Sequence, residues 1–234
     1  ANYQNILRQA HQAIADVADN ADSWRAFLRS AAYTTHYAFP NQALIYSQRP
    51  GATMLADIDT WNRAAGRLVN RGAHGVRPCT GKMAGNVRYL FDIKDTHPAG
   101  KGAKPLGWQI TDATAIRPCK PCRKSKRREP AGDLRLAAAL FVAQHGKQLD
   151  DDLQNAVIGS TLEWAKSQEQ TAIFANLITQ SAVYMAAVRC GLGDSAVAAG
   201  AFADIDRFDT ESAVLALGNA VNRAGRQMFA EIGA

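Results

Sequence analysis

The feature that most constrains this fold is a change in apolar spacing along the chain of 234 residues. Over residues 6–65, and again from residue 134 onward, apolar side chains recur every three or four positions, which is typical of amphipathic helices. Between these regions, glycines punctuate a stretch around residues 72–93 in which apolar and polar residues alternate, which indicates short strands. The sequence therefore predicts an α+β N-terminal domain, with helices packed on a small antiparallel sheet, followed by an all-α helical domain.

Four helices are predicted in the N-terminal domain. Short polar side chains cap helices because their oxygens accept from the free N–H groups of the first turn, and Pro suits that turn because it lacks the N–H. On these signals, the first helix runs from Ile6 to Val17, Asp22 or Ser23 caps the second, the third follows Pro40, and the fourth starts at Asp57 or Asp59.

Strands are predicted at Val76, over residues 87–93 and around residues 108–110, with a turn over residues 78–86. The second half of the chain is predicted to hold four helices. They span residues 134–144, residues 149–166 and about residues 173–188 with an end at Gly191, and the last is capped by Thr210.

The charge of the chain divides between its two halves. Residues 1–130 hold 20 Lys and Arg against 9 Asp and Glu, whereas residues 131–234 hold 7 against 12, so the halves carry +11 and −5. Seven basic residues also fall within the twelve positions 117–128. This division predicts that the first half faces a polyanion. We assign residues 1–116 to the N-terminal domain, 117–130 to a basic linker and 131–234 to the helical domain.

Bulk features predict a soluble cytoplasmic protein. A membrane span requires roughly 18 consecutive apolar residues, and no run in the sequence approaches that length. No membrane contact is therefore expected. The first residues lack the cationic and apolar parts of a secretory signal. The four cysteines are scattered apart from one pair, which favours a reducing compartment.

No catalytic motif is complete, so the chain is predicted not to be an enzyme. A segment from Gly75 to Met83 resembles a phosphate-binding loop, but it has one residue too many and lacks the Ser or Thr that would bind magnesium. Cys119 and Cys122 form half of a zinc motif, which Cys79 with His74 or His97 could complete. Two free surface thiols are the default interpretation, and neither a metal nor another cofactor is predicted.

Aromatic and basic residues interleave in the first half. Unpaired bases stack on aromatic rings while Arg and Lys follow the phosphates, so this pattern favours binding of a single strand. Most of the aromatic residues are also explained as core, and Tyr37 and Tyr46, with their polar tips, are the better candidates for exposure.

An ordered series of short motifs resembles the N-terminal domain of ArdC-type antirestriction proteins over roughly residues 20–110. The motifs are Trp24-Arg25-Ala26-Phe27-Leu28, Tyr37 through Ile45, Gln48-Arg49-Pro50, Trp61, Gly66-Arg67, Gly72, Gly75, Phe91-Asp92-Ile93 and Thr96. The resemblance implies binding of single-stranded DNA. Residues 181–184, 189–192 and 208–210 carry a weaker likeness to the helical region that follows similar domains in large proteins of bacterial conjugative elements.

The predicted function is therefore that of a single-stranded DNA-binding module of a mobile-element protein, for conjugation or antirestriction. The predicted nucleic-acid-binding residues are Tyr37, Asn41, Tyr46, Gln48, Arg49, Trp61, Arg67, Arg71, Lys82 and Arg88. For Asn41 and Gln48, a helix-cap amide and a buried amide are interpretations of equal weight. The alternative function is protein docking, in which the acidic helical half contacts another protein or a downstream domain.

Overall fold

The computed structural model describes residues 3–79, 89–100, 130–192 and 194–233. Seven helices and four short strands lie within these ranges. The helices are α1 (Tyr3–Val17), α2 (Ala21–Thr34), α3 (Phe39–Gln48), α4 (Ile58–Arg63), α5 (Pro130–Ala156), α6 (Ser167–Arg189) and α7 (Glu211–Gly233). The strands are β1 (Leu55–Ala56), β2 (Arg67–Val69), β3 (Phe91–Asp92) and β4 (Thr96–Pro98). The described chain is thus mostly helical, with small antiparallel pairings.

The helix ends follow from side-chain caps. Asn20, rather than the predicted Asp22 or Ser23, caps α2 by accepting from the Ser23 N–H at 2.9 Å. Asp57 caps α4 by accepting from the Thr60 N–H at 2.8 Å, and Thr210 caps α7, as predicted. Helix α6 ends at Gly191, whose positive φ of 69° suits a residue without a Cβ.

Helix α5 differs from the prediction of two helices, 134–144 and 149–166, because it continues through Gly146. Its buried face includes Leu134, Phe141 and Leu149, with the His145 ring stacked on Phe141 at a centroid distance of 4.4 Å. This stripe packs on α6 and α7 along its whole length. Tertiary packing therefore outweighs the weak helix preference of one glycine. Residues 161–164 form a separate 3₁₀ turn.

The strands are shorter than predicted, and the predicted neighbours Val76 and residues 87–93 are joined by one bridge, beside two pairings that were not predicted. Strand β1 pairs antiparallel with β3, and β2 pairs antiparallel with β4, in two separate two-stranded sheets. Residues 89–93 of the predicted strand 87–93 are described by the structure. Among them, Leu90 forms a bridge with Val76, and Phe91 and Asp92 form β3. Ile93 already begins a 3₁₀ turn to Asp95. The strand predicted around residues 108–110 and the linker 117–129 lie outside the described residues.

One hydrophobic core joins helices of both halves across the predicted boundary. Helix α6 packs against α5, α7 and α2, while α1 and α3 also contact α7. Trp24 of α2 is fully buried, and its indole N–H donates to Ser181 Oγ of α6 at 2.9 Å. The helices of the N-terminal domain therefore pack on the C-terminal helices as well as beside the sheets, so the division at residues 117–130 does not divide the core.

Helix α6 is the described helix whose length and composition would permit a membrane span, with a mean hydropathy of 1.4 over its most apolar window. These criteria alone are weak grounds for a span. Of that window, 56% is buried inside the protein, which is also the pattern of a central core helix.

Two helix-interior glycines provide a matched test of this packing. A Cβ at Gly218 of α7 would lie 2.4 Å from the buried Phe39 ring, whereas a Cβ at Gly146 would meet no atom within 4 Å. We expect Gly146→Ala to raise the free energy of unfolding by about 1 kcal/mol through helix propensity alone. Gly218→Ala should lower it by roughly 1–3 kcal/mol because of overpacking. Urea unfolding followed by circular dichroism measures both, and a Gly218→Ala variant as stable as Gly146→Ala would contradict the packing.

Candidate nucleic-acid interface

Two of the predicted residues, Asn41 and Gln48, hold the extended segment 77–79 against α3. They are seven residues apart, so they lie on one face of that helix. Asn41 Oδ1 accepts from the Cys79 N–H at 2.7 Å. Gln48 Oε1 accepts from the Arg77 N–H at 2.9 Å, while its Nε2 donates to the Arg77 carbonyl at 3.0 Å. Both amides therefore serve the fold by satisfying main-chain groups at the start of the 80–88 segment.

Two predicted phosphate contacts, Arg49 and Arg67, are bonded within the protein. The guanidinium of Arg49 contacts both carboxylate oxygens of Asp95, one of them at 3.0 Å. Hydrogen bonding to Asp95 raises the pKa of Arg49. Arg67 donates through Nε to Thr96 Oγ1 at 2.7 Å and through a terminal nitrogen to the Thr96 carbonyl at 3.0 Å. Both arginines thus hold the segment that includes Asp95 and Thr96, and the charge of Arg49 is compensated.

The three predicted aromatic contacts support the interior. Trp61 is fully buried, and its indole N–H donates to the Phe91 carbonyl at 2.9 Å, so it offers no face to a base. Tyr46 is partly buried and packs edge-on against Phe27, with ring centroids 5.9 Å apart. Tyr37 is also partly buried, and its hydroxyl donates to the Leu55 carbonyl at 3.4 Å. The expected exposure of Tyr37 and Tyr46 is therefore only partial.

Of the remaining predicted contacts, Arg71 is exposed, and it makes no hydrogen bond or ion pair with any residue that the structure describes. Lys82 and Arg88 lie outside the described residues. The structure thus leaves two of the predicted arginines it describes, Arg67 and Arg71, without a carboxylate partner among the described residues, and of these two Arg71 is the exposed one.

A pair formed by the exposed Tyr89 ring and the partly buried Arg77 was not predicted from the sequence. Val76 and Leu90 form an antiparallel bridge with N–H to carbonyl distances of 2.7 and 2.8 Å. Beside it, the Arg77 guanidinium lies 5.9 Å from the centroid of the Tyr89 ring, and Tyr89 is 48% exposed. A cation within about 6 Å of a ring centroid is attracted to the ring face. The alternation around the buried Leu90 was the available signal, because it places Tyr89 on the opposite face.

Gly75 allows this pair to form. A Cβ on Gly75 would lie 2.8 Å from Tyr89 Cβ and 3.2 Å from Phe91 Cε1, closer than ordinary van der Waals contact. The missing side chain therefore lets the Tyr89 ring lie over the backbone of the facing segment. Gly75 is one of the residues that resemble the ArdC-type domain, and the close approach of Tyr89 is the physical reason for a glycine at this position.

Within the described ranges, no three His, Cys, Asp or Glu side chains come close enough together to hold a metal ion. Cys119 and Cys122, the half zinc motif, lie outside those ranges. Cys79 is partly exposed, and Cys190 is a buried free thiol whose pKa burial raises to about 11.

Comparisons with known proteins found no match for this chain among protein-family models, curated proteins or solved structures. The likeness to ArdC-type proteins therefore stays a prediction from short motifs.

The ionisation of Tyr37 tests its placement. Burial, with a smaller contribution from the charge of Asp57, raises the pKa of Tyr37 from 10.0 to about 12. Because this folded-state pKa exceeds the unfolded one, the stability contribution is fully present below pH 10 and is lost as pH rises toward 12. Burial also raises the pKa of Tyr184. We expect an ultraviolet titration to show a late-ionising phase from these two tyrosines, which Tyr37→Phe should reduce. A Tyr37→Phe variant with an unchanged late phase would contradict the burial of this hydroxyl.

Proposed function

We propose that this chain is a non-catalytic module that binds single-stranded DNA within a mobile-element protein, acting in conjugation or antirestriction in the cytoplasm. The observation that carries the proposal is the excess of positive charge in the first half. By sequence, residues 80–88 and 101–129 together hold 11 Lys and Arg against 2 Asp and Glu. Charge density of this kind attracts phosphates regardless of base sequence. The choice of DNA over RNA rests on the likeness to ArdC-type proteins.

The surface next to the first of these segments supports the proposal. Arg77 and Tyr89 lie on either side of residues 80–88, which contain the predicted contacts Lys82 and Arg88. A half-exposed tyrosine beside a guanidinium combines a stacking face for a base with a charge for its phosphate. Arg71, exposed and uncompensated by described residues, is a further phosphate contact in this proposal.

The remaining predicted residues have a supporting role in this proposal. Gln48 positions the backbone of Arg77, and Asn41 positions that of Cys79. Arg49 and Arg67 hold Asp95 and Thr96, which follow Tyr89 in the chain. The α+β N-terminal domain would thus bind the single-stranded DNA, and the all-α C-terminal domain would support the N-terminal domain through the shared core. Contacts made by a rigid scaffold lose less entropy when the ligand binds.

A second function, protein docking by the acidic helical half, is favoured by one observation. Trp164 is 87% exposed, the most exposed of the large apolar side chains in the described residues. Exposed aromatic residues on ordered surfaces are frequent anchors of protein interfaces. This function and DNA binding use different halves of the chain, so they are compatible.

Titration of a fluorescently labelled oligonucleotide tests DNA binding. We expect log affinity to fall linearly with log salt concentration, with a slope of about −0.7 for each phosphate neutralised. The double variant Arg77→Ala, Tyr89→Ala should bind roughly tenfold or more weakly and show a shallower slope, because it loses one cation and one stacking face.

Arg63→Ala is the matched control, since Arg63 is exposed and its nearest carboxylate, that of Asp59, is 3.9 Å away. Arg63→Ala removes one positive charge from α4, as Arg77→Ala does from its segment. The affinity for the oligonucleotide should stay within about twofold, because the Arg63–Asp59 ion pair is exposed and weak. Equal losses in the control and the double variant would refute the Arg77–Tyr89 surface. An affinity that did not respond to salt would refute the proposed function itself.

A further inference from the structure

The loop of residues 157–166, which we call the Trp164 loop, is held rigid by hydrogen bonds from α6. The Gln170 side-chain amide donates to three loop carbonyls, those of Leu162, Glu163 and Ala165, at 3.2, 3.1 and 3.0 Å. Leu162 is fully buried and anchors the loop in the core. The conformation of this loop is therefore set before any partner binds.

Further contacts fix the middle of the loop. Asp209 accepts from the Thr161 N–H at 2.8 Å and also from the Thr161 hydroxyl. Glu163 Oε2 accepts from the Gly159 N–H at 2.7 Å. A loop with this many internal bonds has little conformational entropy left to lose on binding, which is the usual obstacle to loop-mediated association.

This rigid loop presents two large apolar side chains to solvent. Trp164 is 87% exposed and Ile158 is 67% exposed. Hydrogen bonding hides the polar backbone of the loop, while these two side chains are left uncovered. A preorganised tryptophan with a neighbouring aliphatic residue has the composition of an interface hot spot.

The charge around the loop limits the kind of partner. Residues 150–169 hold five acidic side chains against the single cation of Lys166. Two of the five, Asp152 and Glu169, pair with Arg223 and Arg207, and the remainder leaves a net negative charge. A nucleic acid would be repelled by this surface, and so would a second copy of the same loop. The complementary surface is an apolar recess with a cationic rim.

The chain itself contains such a recess. A cleft of about 450 Å³ lies between α2, the 50–53 turn and the end of α6, and its lining includes Tyr33, Ala52 and Val188. Two cations, Arg29 and Lys94, and one carboxylate, Asp194, also line it, which leaves one excess positive charge. Its volume is within the roughly 300–1,000 Å³ of pockets that hold small ligands, so an indole ring can be accommodated.

Both cations of the cleft are partly engaged but exposed. Arg29 pairs with Asp194 at 2.9 Å, and Lys94 Nζ donates to the Gly51 carbonyl at 3.1 Å. Exposed pairs of this kind exchange partners at little cost. The cleft also contains the Ser30 hydroxyl, a buried oxygen with no hydrogen-bond partner among the described residues.

The loop and the cleft lie at opposite ends of α6. The loop directly precedes Ser167, where α6 begins, and the cleft is lined by Val188 and Gly191, where it ends. A helix of 23 residues is about 34 Å long at 1.5 Å per residue. One copy therefore cannot place its own Trp164 in its own cleft.

We propose that the Trp164 loop of one copy docks into the Arg29–Lys94 cleft of a second copy of this chain. The contact is head-to-tail, so the copy at one end keeps a free loop, the copy at the other end keeps a free cleft, and the assembly extends in a row. This inference rests on the docking function and is independent of DNA binding. If the copies of such a row lie along one DNA single strand, their binding to the DNA would be cooperative.

Sedimentation velocity of the full chain without DNA tests the proposal. We expect the sedimentation coefficient to rise with protein concentration and to fall back toward the monomer value in high salt, because the contact pairs opposite charges. Trp164→Ser and Lys94→Glu should each weaken association at least about tenfold. Leu136→Ser, which changes an exposed apolar residue on α5, is the matched control and should associate as the wild type does.

Mixing the two damaged variants gives the sharper result. Trp164→Ser retains an intact cleft and Lys94→Glu an intact loop, so their mixture should form a one-to-one dimer although each alone stays monomeric. A wild-type chain that is monomeric at every concentration would overturn the proposal, and so would a Trp164→Ser variant that associates normally or a mixture without dimer. The oligonucleotide titration reports separately on DNA binding, which Trp164→Ser should leave unchanged.

Discussion

The structure depends on the burial of the central part of α6. Seven consecutive residues from Ser181 to Ala187 are buried, so every side of this part of the helix must be covered by other elements. Helices α5 and α7 cover part of it, and α2 of the first half covers the rest. The two halves of opposite charge consequently fold around one helix. The same helix, about 34 Å long, separates the Trp164 loop from the cleft.

The β region has little apolar core and is held mainly by polar contacts. Its largest apolar cluster contains five buried residues, Ile45, Ala52, Leu55, Val76 and Leu90. Asp92 is fully buried and accepts from the Thr53 and Lys94 N–H groups at 2.6 and 2.9 Å. Removing one member of such a network leaves a buried polar group unpaired, which is costly. The recognisable motif residues therefore build the fold, while the partly buried Arg77 and the exposed Tyr89 lie at its surface.

Most helices could be predicted from the sequence because each depends on local signals. The spacing of apolar residues located α1, α2, α3, α6 and α7, and the caps of α4 and α7 were readable because they act within three residues. The break expected in α5 was wrong because packing against two other helices outweighs one glycine. Strands of two or three residues are too short for alternation to reveal them, so β1, β2 and β4 were not predicted.

By itself, the sequence determined the positions of most helices, the division of charge and the candidate arginines, since spacing and composition are local properties. Only the tertiary structure decided which of those arginines are available. Arg49 and Asp95 are 46 residues apart in the chain, and no local pattern pairs them. The exposure of Trp164 was decided partly in the same way, because Asp209, 48 residues away in the chain, stabilises its loop by accepting from the Thr161 N–H.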